Sequence, residues 1–316
     1  MNRIYIFSLL AFFALSCSSD KVVYLPSTSS PVSNMLLPEV LEVNYAVDLD
    51  TTASDSWQKS FDSRAFLSEF MESVYRENIP VYSPFYNDTA GALITAKYLE
   101  MDLGNFAGNK EYKWGSYRTW KIGFTEQWHF DTSEVKFTKL VKWWYPLFYS
   151  PADSSNHTLF RVSSGPSSEI LAENMICEVR FDDAESDFSR MDAGRFFDWM
   201  VRAAVSKKIE VFPPDTFSSP LTPETIRQRL GEGEVSMTAM DDKGNATVQT
   251  VLQKYNLNEL KGMIFIEDWY YSKSTGCLSK TVTGFAPVRY YEDENGRMLK
   301  SIPFVFYTGE KKVAVL

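Results

Sequence analysis

The chain has 316 residues, 44% of them hydrophobic and 23% charged, enough to bury the core of one large domain or two smaller ones and too apolar for a disordered chain. It carries 41 acidic against 32 basic residues, a net charge of −9, so the phosphate backbone of a nucleic acid would be repelled. Two histidines, His129 and His157, and three cysteines are too few and too scattered for a four-ligand zinc site, so neither a metal nor a cofactor is expected.

At the N-terminus, Arg3 precedes an apolar run from Ile4 to Leu15 that ends at Ser16-Cys17. A positive start followed by about twelve apolar residues reads as a signal peptide over residues 1–16, because a membrane-spanning helix needs about 20. The small residue directly before a cysteine resembles a bacterial lipobox, which makes Cys17 the candidate lipidation site. Several acyl chains on one cysteine would hold the protein stably on a membrane. Residues 17–39, rich in Ser, Thr and Pro without periodicity, read as a tether.

The rest of the chain contains a self-match. Glu126, Trp128 and Phe130, then Phe137, Lys139, Val141 and Pro146, recur 141 positions later as Glu267, Trp269 and Tyr271, then Leu278, Lys280, Val282 and Pro287. Upstream, Phe66, Leu67 and Phe70 followed by Ile79 and Val81 recur 130 positions later as Phe196, Phe197 and Met200 followed by Ile209 and Val211. The fold class predicted is therefore α+β, as two tandem copies of a helix plus antiparallel sheet unit, with boundaries at 40–155 and 156–316.

In chain order, apolar residues at 66, 67, 70, 71 and 74 sit at helical spacing, and a short strand follows around Val81. The same pattern returns at 196, 197, 200, 201, 204 and 205. Thr222, Pro223 and Gly231 then mark a short helix by N-cap, first-turn proline and terminal glycine. Alternation in Glu126, Trp128, Phe130 and in Glu267, Trp269, Tyr271 marks one face of a strand, and the polar breaks at 131–134 and 272–275 mark hairpin turns. Cys177 and Cys277 are either one disulfide or two small apolar strand residues.

With a two-residue hairpin loop, the expected register opposes Phe130 to Val135, Trp128 to Phe137, Glu126 to Lys139 and Phe124 to Val141. The second copy repeats it with Trp269 to Leu278, Glu267 to Lys280 and Phe265 to Val282. The repeated signature Glu126, Trp128, Lys139, Glu267, Trp269, Lys280 is then structural, an aromatic-aliphatic pair beside an opposite-charge pair on one face of each hairpin.

The series Phe265 to Tyr271 (with Glu267-Asp268-Trp269-Tyr270-Tyr271), Phe285 to Val288, Asp293 to Gly296 and Pro303 to Tyr307 resembles the GldN/PorN family of the type IX secretion and gliding-motility machinery of Bacteroidetes. Phe66 to Pro84 is similar to that family's helix leading into a short strand. The resemblance implies a periplasmic scaffold that associates with a partner lipoprotein in a ring beneath the outer membrane. This chain departs from the pattern in carrying its own candidate lipid site.

No catalytic residue is expected. Neither histidine has a local partner motif, His129 stands where the second copy has Tyr270, and no glycine-rich phosphate loop or nucleophile elbow is present. The expectation is a non-catalytic scaffold lipoprotein on the outer membrane, facing the periplasm, with protein partners, a membrane anchor through its lipid and room for self-association. The alternative is a surface glycan-binding lipoprotein. Trp143, Trp144 and Tyr145 are the candidate interface for either, because successive strand residues point to opposite faces and one tryptophan must leave the core.

Overall fold

The structure is a computed structural model that describes residues 41–49, 61–84, 93–99, 119–150, 154–182, 188, 191–215, 219–240, 246–293 and 295–308. All of them belong to one compact unit, Met35–Leu316. The expected signal peptide, Cys17 and the tether lie outside the described residues. Among these residues no helix is long and apolar enough to cross a membrane.

The fold is α+β, dominated by antiparallel sheet. Strands β1 (Leu41–Asp48), β2 (Val81–Tyr82) and β3 (Leu93–Ile94) precede the long hairpin β4 (Thr119–Asp131) and β5 (Lys136–Ser150), with β6 (Ser155–His157) and β7 (Val162–Ser163) after it. The chain continues through β8 (Ile170–Arg180), the hairpin β9 (Gly233–Met240) and β10 (Ala246–Gln253), the long hairpin β11 (Leu260–Tyr271) and β12 (Leu278–Glu292), then β13 (Met298–Ser301) and β14 (Phe306–Tyr307). Helix α1 (Ser63–Tyr75) lies before the first long hairpin, and α2 (Ala193–Val205) and α3 (Pro223–Arg229) before the second.

The first sheet runs β1-β4-β5-β6, with β7 also on β5, and the second runs β8-β11-β12-β13, with β14 also on β12. β1 lies against β8 and β5 against β12. The sheets face each other across rings from both: Trp128 meets Phe265 at 5.0 Å, Phe124 meets Trp269 at 5.4 Å and Phe137 meets Phe285 at 5.1 Å between centroids. Two separate units with a boundary at 155/156 were expected; instead β6 and β7 pair with β5, so the first sheet extends to Ser163. The two sheets share one core because each is aromatic on its inward face.

Helices α1 and α2 each pack against the tip of the other half's long hairpin. Phe66 of α1 packs edge-on to Tyr271 and Phe70 sits 4.5 Å from Trp144, while Phe196 and Trp199 of α2 pack on Phe130. Both helices are capped alike, by Asp62 accepting from the Ala65 amide and Asp192 accepting from the Arg195 amide. α3 starts and ends where predicted, with Thr222 as N-cap and Gly231 at φ +95° just past its end.

Hairpin register departs from expectation in the same way in both halves. Phe130 opposes Phe137, Trp128 opposes Lys139 and Glu126 opposes Val141; Tyr271 opposes Leu278, Trp269 opposes Lys280 and Glu267 opposes Val282. The loops are longer than two residues, four between Asp131 and Lys136 and six between Tyr271 and Leu278. In the first, the Asp131 carboxylate accepts from the amides of Ser133 and Glu134 at 2.8 and 3.1 Å, an Asx turn that the simple alternation did not include. The slip is of two positions, so each side chain keeps the face that was predicted for it.

A bulge then breaks each ladder. Thr125 opposes Trp143 while Glu126 opposes Val141, leaving Lys142 extra; Ile266 opposes Gly284 while Glu267 opposes Val282, leaving Thr283 extra. Beyond the bulge the inward positions change parity, so Trp144 and Phe285 enter the core.

Candidate functional site

The repeated Glu and Lys residues meet at the centre of the sandwich. Glu126 and Lys139 come from the first hairpin, Glu267 and Lys280 from the second, and all four side chains are sealed from solvent. The shortest ion pairs run between hairpins, while of the two pairs expected within a hairpin Lys280 with Glu267 is kept as the longer contact. Lys139 Nζ lies 2.6 Å from Glu267 Oε1, and Lys280 Nζ lies 2.8 Å from Glu126 Oε1 and 3.7 Å from Glu267 Oε2. The physical reason is the register: with Trp128 opposite Lys139 and Trp269 opposite Lys280, neither lysine directly opposes its own hairpin's glutamate, and each ammonium makes its shortest pair with the glutamate of the facing sheet.

Tryptophan and tyrosine complete the arrangement. Trp128 Nε1 donates to Glu126 Oε2 at 2.7 Å and Trp269 Nε1 donates to Glu267 Oε2 at 2.8 Å. Tyr45, on β1, donates its hydroxyl to Glu126 Oε2 at 2.8 Å and accepts from Lys280 at 3.1 Å and Lys139 at 3.4 Å. Each ammonium also lies over a phenyl ring of the facing sheet, Lys139 at 3.2 Å from the Phe265 centroid and Lys280 at 3.1 Å from that of Phe124.

Within the cluster the two hairpins supply the same Phe, Glu, Trp and Lys, and the strands flanking them differ. Tyr45 opposes Phe124 on β4, whereas the residue opposing Phe265 on β11 is Cys177 of β8. A single hydroxyl therefore serves the whole cluster. Sequence reading missed Tyr45, although Leu41, Val43, Tyr45 and Val47 alternate in the pattern of an inward face, and a tyrosine on such a face needs a partner for its hydroxyl.

Burial by itself would raise the Glu267 pKa, but the Lys139 and Lys280 ammonium groups outweigh it and lower it to about 2. For Lys280, burial works against the charge, and the carboxylates of Glu126 and Glu267 prevail to raise its pKa. Burial, then Glu126 and Glu267, pushes the Tyr45 phenol well up, and burial followed by Glu267 does the same to the Cys177 thiol. The cluster sets two lysines against two glutamates, with the Tyr45 phenol and the Cys177 thiol beside them. The space that a divalent cation would take between the carboxylates is filled by the ammonium groups, and with side chains fully enclosed it offers no surface to a substrate. Its chemistry is that of a lock between two sheets.

The candidate interface divides. Trp144 is a correction: the bulge turns it inward, it is fully buried, and its Nε1 donates to the Gly276 carbonyl at 2.8 Å. Trp143 and Tyr145 lie on the outer face, half-buried. The Arg161 guanidinium covers the Trp143 ring at 3.9 Å, and the Tyr145 ring lies over Gly123, where a Cβ would come within 2.0 Å of it. Cys177 and Cys277 are free thiols, the first buried beside the charge cluster and the second near the Ser163 carbonyl. His129 is exposed, and His157 is within 2.7 Å of the Ser155 hydroxyl.

The fold and site define an aromatic-cored α+β body whose two sheets are joined by a buried, crossed charge cluster. Residues 170–312 match the model of the family described as gliding motility associated protein GldN. The chain is thus GldN-like, and the part that matches runs from β8 through β14. It contains Glu267, Trp269 and Lys280, whereas Tyr45, Glu126, Trp128 and Lys139 come before it. Comparison with curated proteins gives no match.

Proposed function

We propose that this protein is a non-catalytic scaffold component of a gliding-motility or type IX secretion assembly, anchored to the outer membrane through a lipid on Cys17 and facing the periplasm. The observation that carries the reading is the GldN match over residues 170–312. The tandem-copy reading is supported by the common strand order, common bulge and constant offset of 141 between equivalent hairpin residues, so the region before the match is read as a diverged second copy. A non-catalytic role is supported by the charge cluster, whose carboxylates are neutralised by lysines and enclosed. The glycan-binding alternative loses support from Trp144, which is core, and from Trp143, whose ring is already covered by Arg161.

Two experiments test this. Mass spectrometry of the mature N-terminus should find an acylated Cys17, and Cys17→Ala should move the protein out of the membrane fraction; an unmodified peptide starting elsewhere overturns the anchor. Crosslinking in intact cells followed by native mass analysis should give defined adducts with envelope proteins or with further copies of the chain. A monomer that yields no adducts and binds oligosaccharides on an array would reverse the scaffold assignment.

A further inference from the structure

A groove of about 930 Å³ runs between α2, α3 and the segment around Tyr255. Its walls carry Arg195, Arg202, Lys208 and Arg227 with the aromatic rings of Trp199 and Tyr255, against a single carboxylate, Asp198, which is engaged by the Arg202 guanidinium at 2.9 Å. On a chain of net charge −9 this is a concentrated positive field. Helix electrostatics accounts for Arg202 and Arg227, each in the last turn of its helix where the macrodipole favours a cation. It does not account for Lys208, beyond the end of α2. Among the described residues neither Lys208 nor Arg227 makes an ion pair.

We infer that this groove binds an acidic segment of a partner polypeptide, its carboxylates against Lys208 and Arg227 and its apolar side chains against Trp199 and Tyr255. The volume exceeds what one small anion fills and suits several residues of chain. The overall negative charge opposes long polyanions and anionic bilayers, which extend beyond the local field. A short acidic segment stays inside the roughly 8 Å over which the groove's charges act at physiological salt. The inference rests on the groove alone and does not depend on the scaffold reading.

The test uses the full mature chain and a fluorescent glutamate-rich peptide containing one tyrosine, followed by anisotropy. Binding should weaken as salt is raised, and the double variant Lys208→Ala/Arg227→Ala should bind about tenfold more weakly or worse, with thermal stability unchanged. Should that variant misfold, a benzophenone-bearing version of the peptide on the wild-type chain decides, by whether its crosslinks map to α2 and α3. The proposal is overturned by absence of peptide binding, by affinity unchanged in a folded variant, by crosslinks elsewhere, or by tighter binding of inorganic phosphate or phosphatidylglycerol vesicles than of the peptide.

Discussion

On the outer face of the second sheet, Ile264 and Ile266 of β11 cluster with Ile176 of β8, Ala286 and Val288 of β12, and Ile302 and Val305 from the C-terminal segment. At the positions equivalent to Ile264 and Ile266 the first sheet has Gly123, under the Tyr145 ring, and Thr125, whose hydroxyl donates to the Asn44 side-chain oxygen at 2.7 Å. Inward, the two sheets share one register and repeat Phe, Glu, Trp, Lys and Val at Phe124/Phe265, Glu126/Glu267, Trp128/Trp269, Lys139/Lys280 and Val141/Val282. The difference has a physical cause: the inward face is constrained by the other sheet, whereas the outward face answers only to what covers it. In the second half a second apolar layer is built there, and in the first half aromatic and polar groups take its place.

The largest expected effect tests the shared inward face. Lys139→Met and Lys280→Met should each destabilise the fold by about 3–5 kcal/mol, since either leaves a buried carboxylate without its nearest cation. In double-mutant cycles followed by urea unfolding, Lys139 should couple to Glu267 by about 1–3 kcal/mol and more weakly to Glu126. Stronger coupling within the hairpin would break the crossed arrangement. The cluster also sets an acid limit. Glu267 has a folded pKa of about 2 against an ordinary 4.5, so its contribution is complete above 4.5 and is lost as pH falls from there toward 2. Lys280, raised above 10.5, contributes fully below 10.5 and loses that contribution only as pH rises through its higher folded value. The urea midpoint should therefore fall between pH 4.5 and 2, and less so in Glu267→Gln.

The outer faces are separated by the next effect. Ile266→Ala should lower stability by about 2–5 kcal/mol, and the equivalent Thr125→Ala by about 1 kcal/mol. Equal losses in thermal or chemical melts would mean that the first sheet is covered as well as the second. A smaller difference sits at the paired core positions. Trp144→Phe should cost about 1–3 kcal/mol by leaving the Gly276 carbonyl unpaired, and it imitates Phe285, which makes no such bond.

The smallest effects compare the hairpin turns. Gly276 and Val135 are equivalent and both have positive φ, +72° and +55°. Gly276→Ala should cost about 1–2 kcal/mol, from backbone strain and from a Cβ placed 2.5 Å from Ile79. Val135→Gly should be neutral or stabilising by up to about 1 kcal/mol, because it removes the strain of a β-branched residue in the left-handed region. A clear loss in Val135→Gly would show that the packing of Val135 against the core outweighs that strain.

Local physics made part of this molecule legible in the amino-acid sequence. Helical spacing at Phe66 to Val74 and Phe196 to Ala204, the caps of α3, and the two-residue alternation through Trp128 and Trp269 each depend on neighbours a few positions apart, and they determined element type, face and the equivalence of the halves. The tertiary structure decided what depends on distant chain. Loop length was set by the Asp131 side chain and by left-handed residues at 135 and 276, and it moved both ladders by two. A bulge at Lys142 chose Trp144 over Trp143 for the core. The partner of each lysine was settled by which sheet faced it: an ammonium at the end of a four-carbon stem reaches whatever carboxylate packing brings near, and here Lys139 and Glu267 come from positions 128 residues apart.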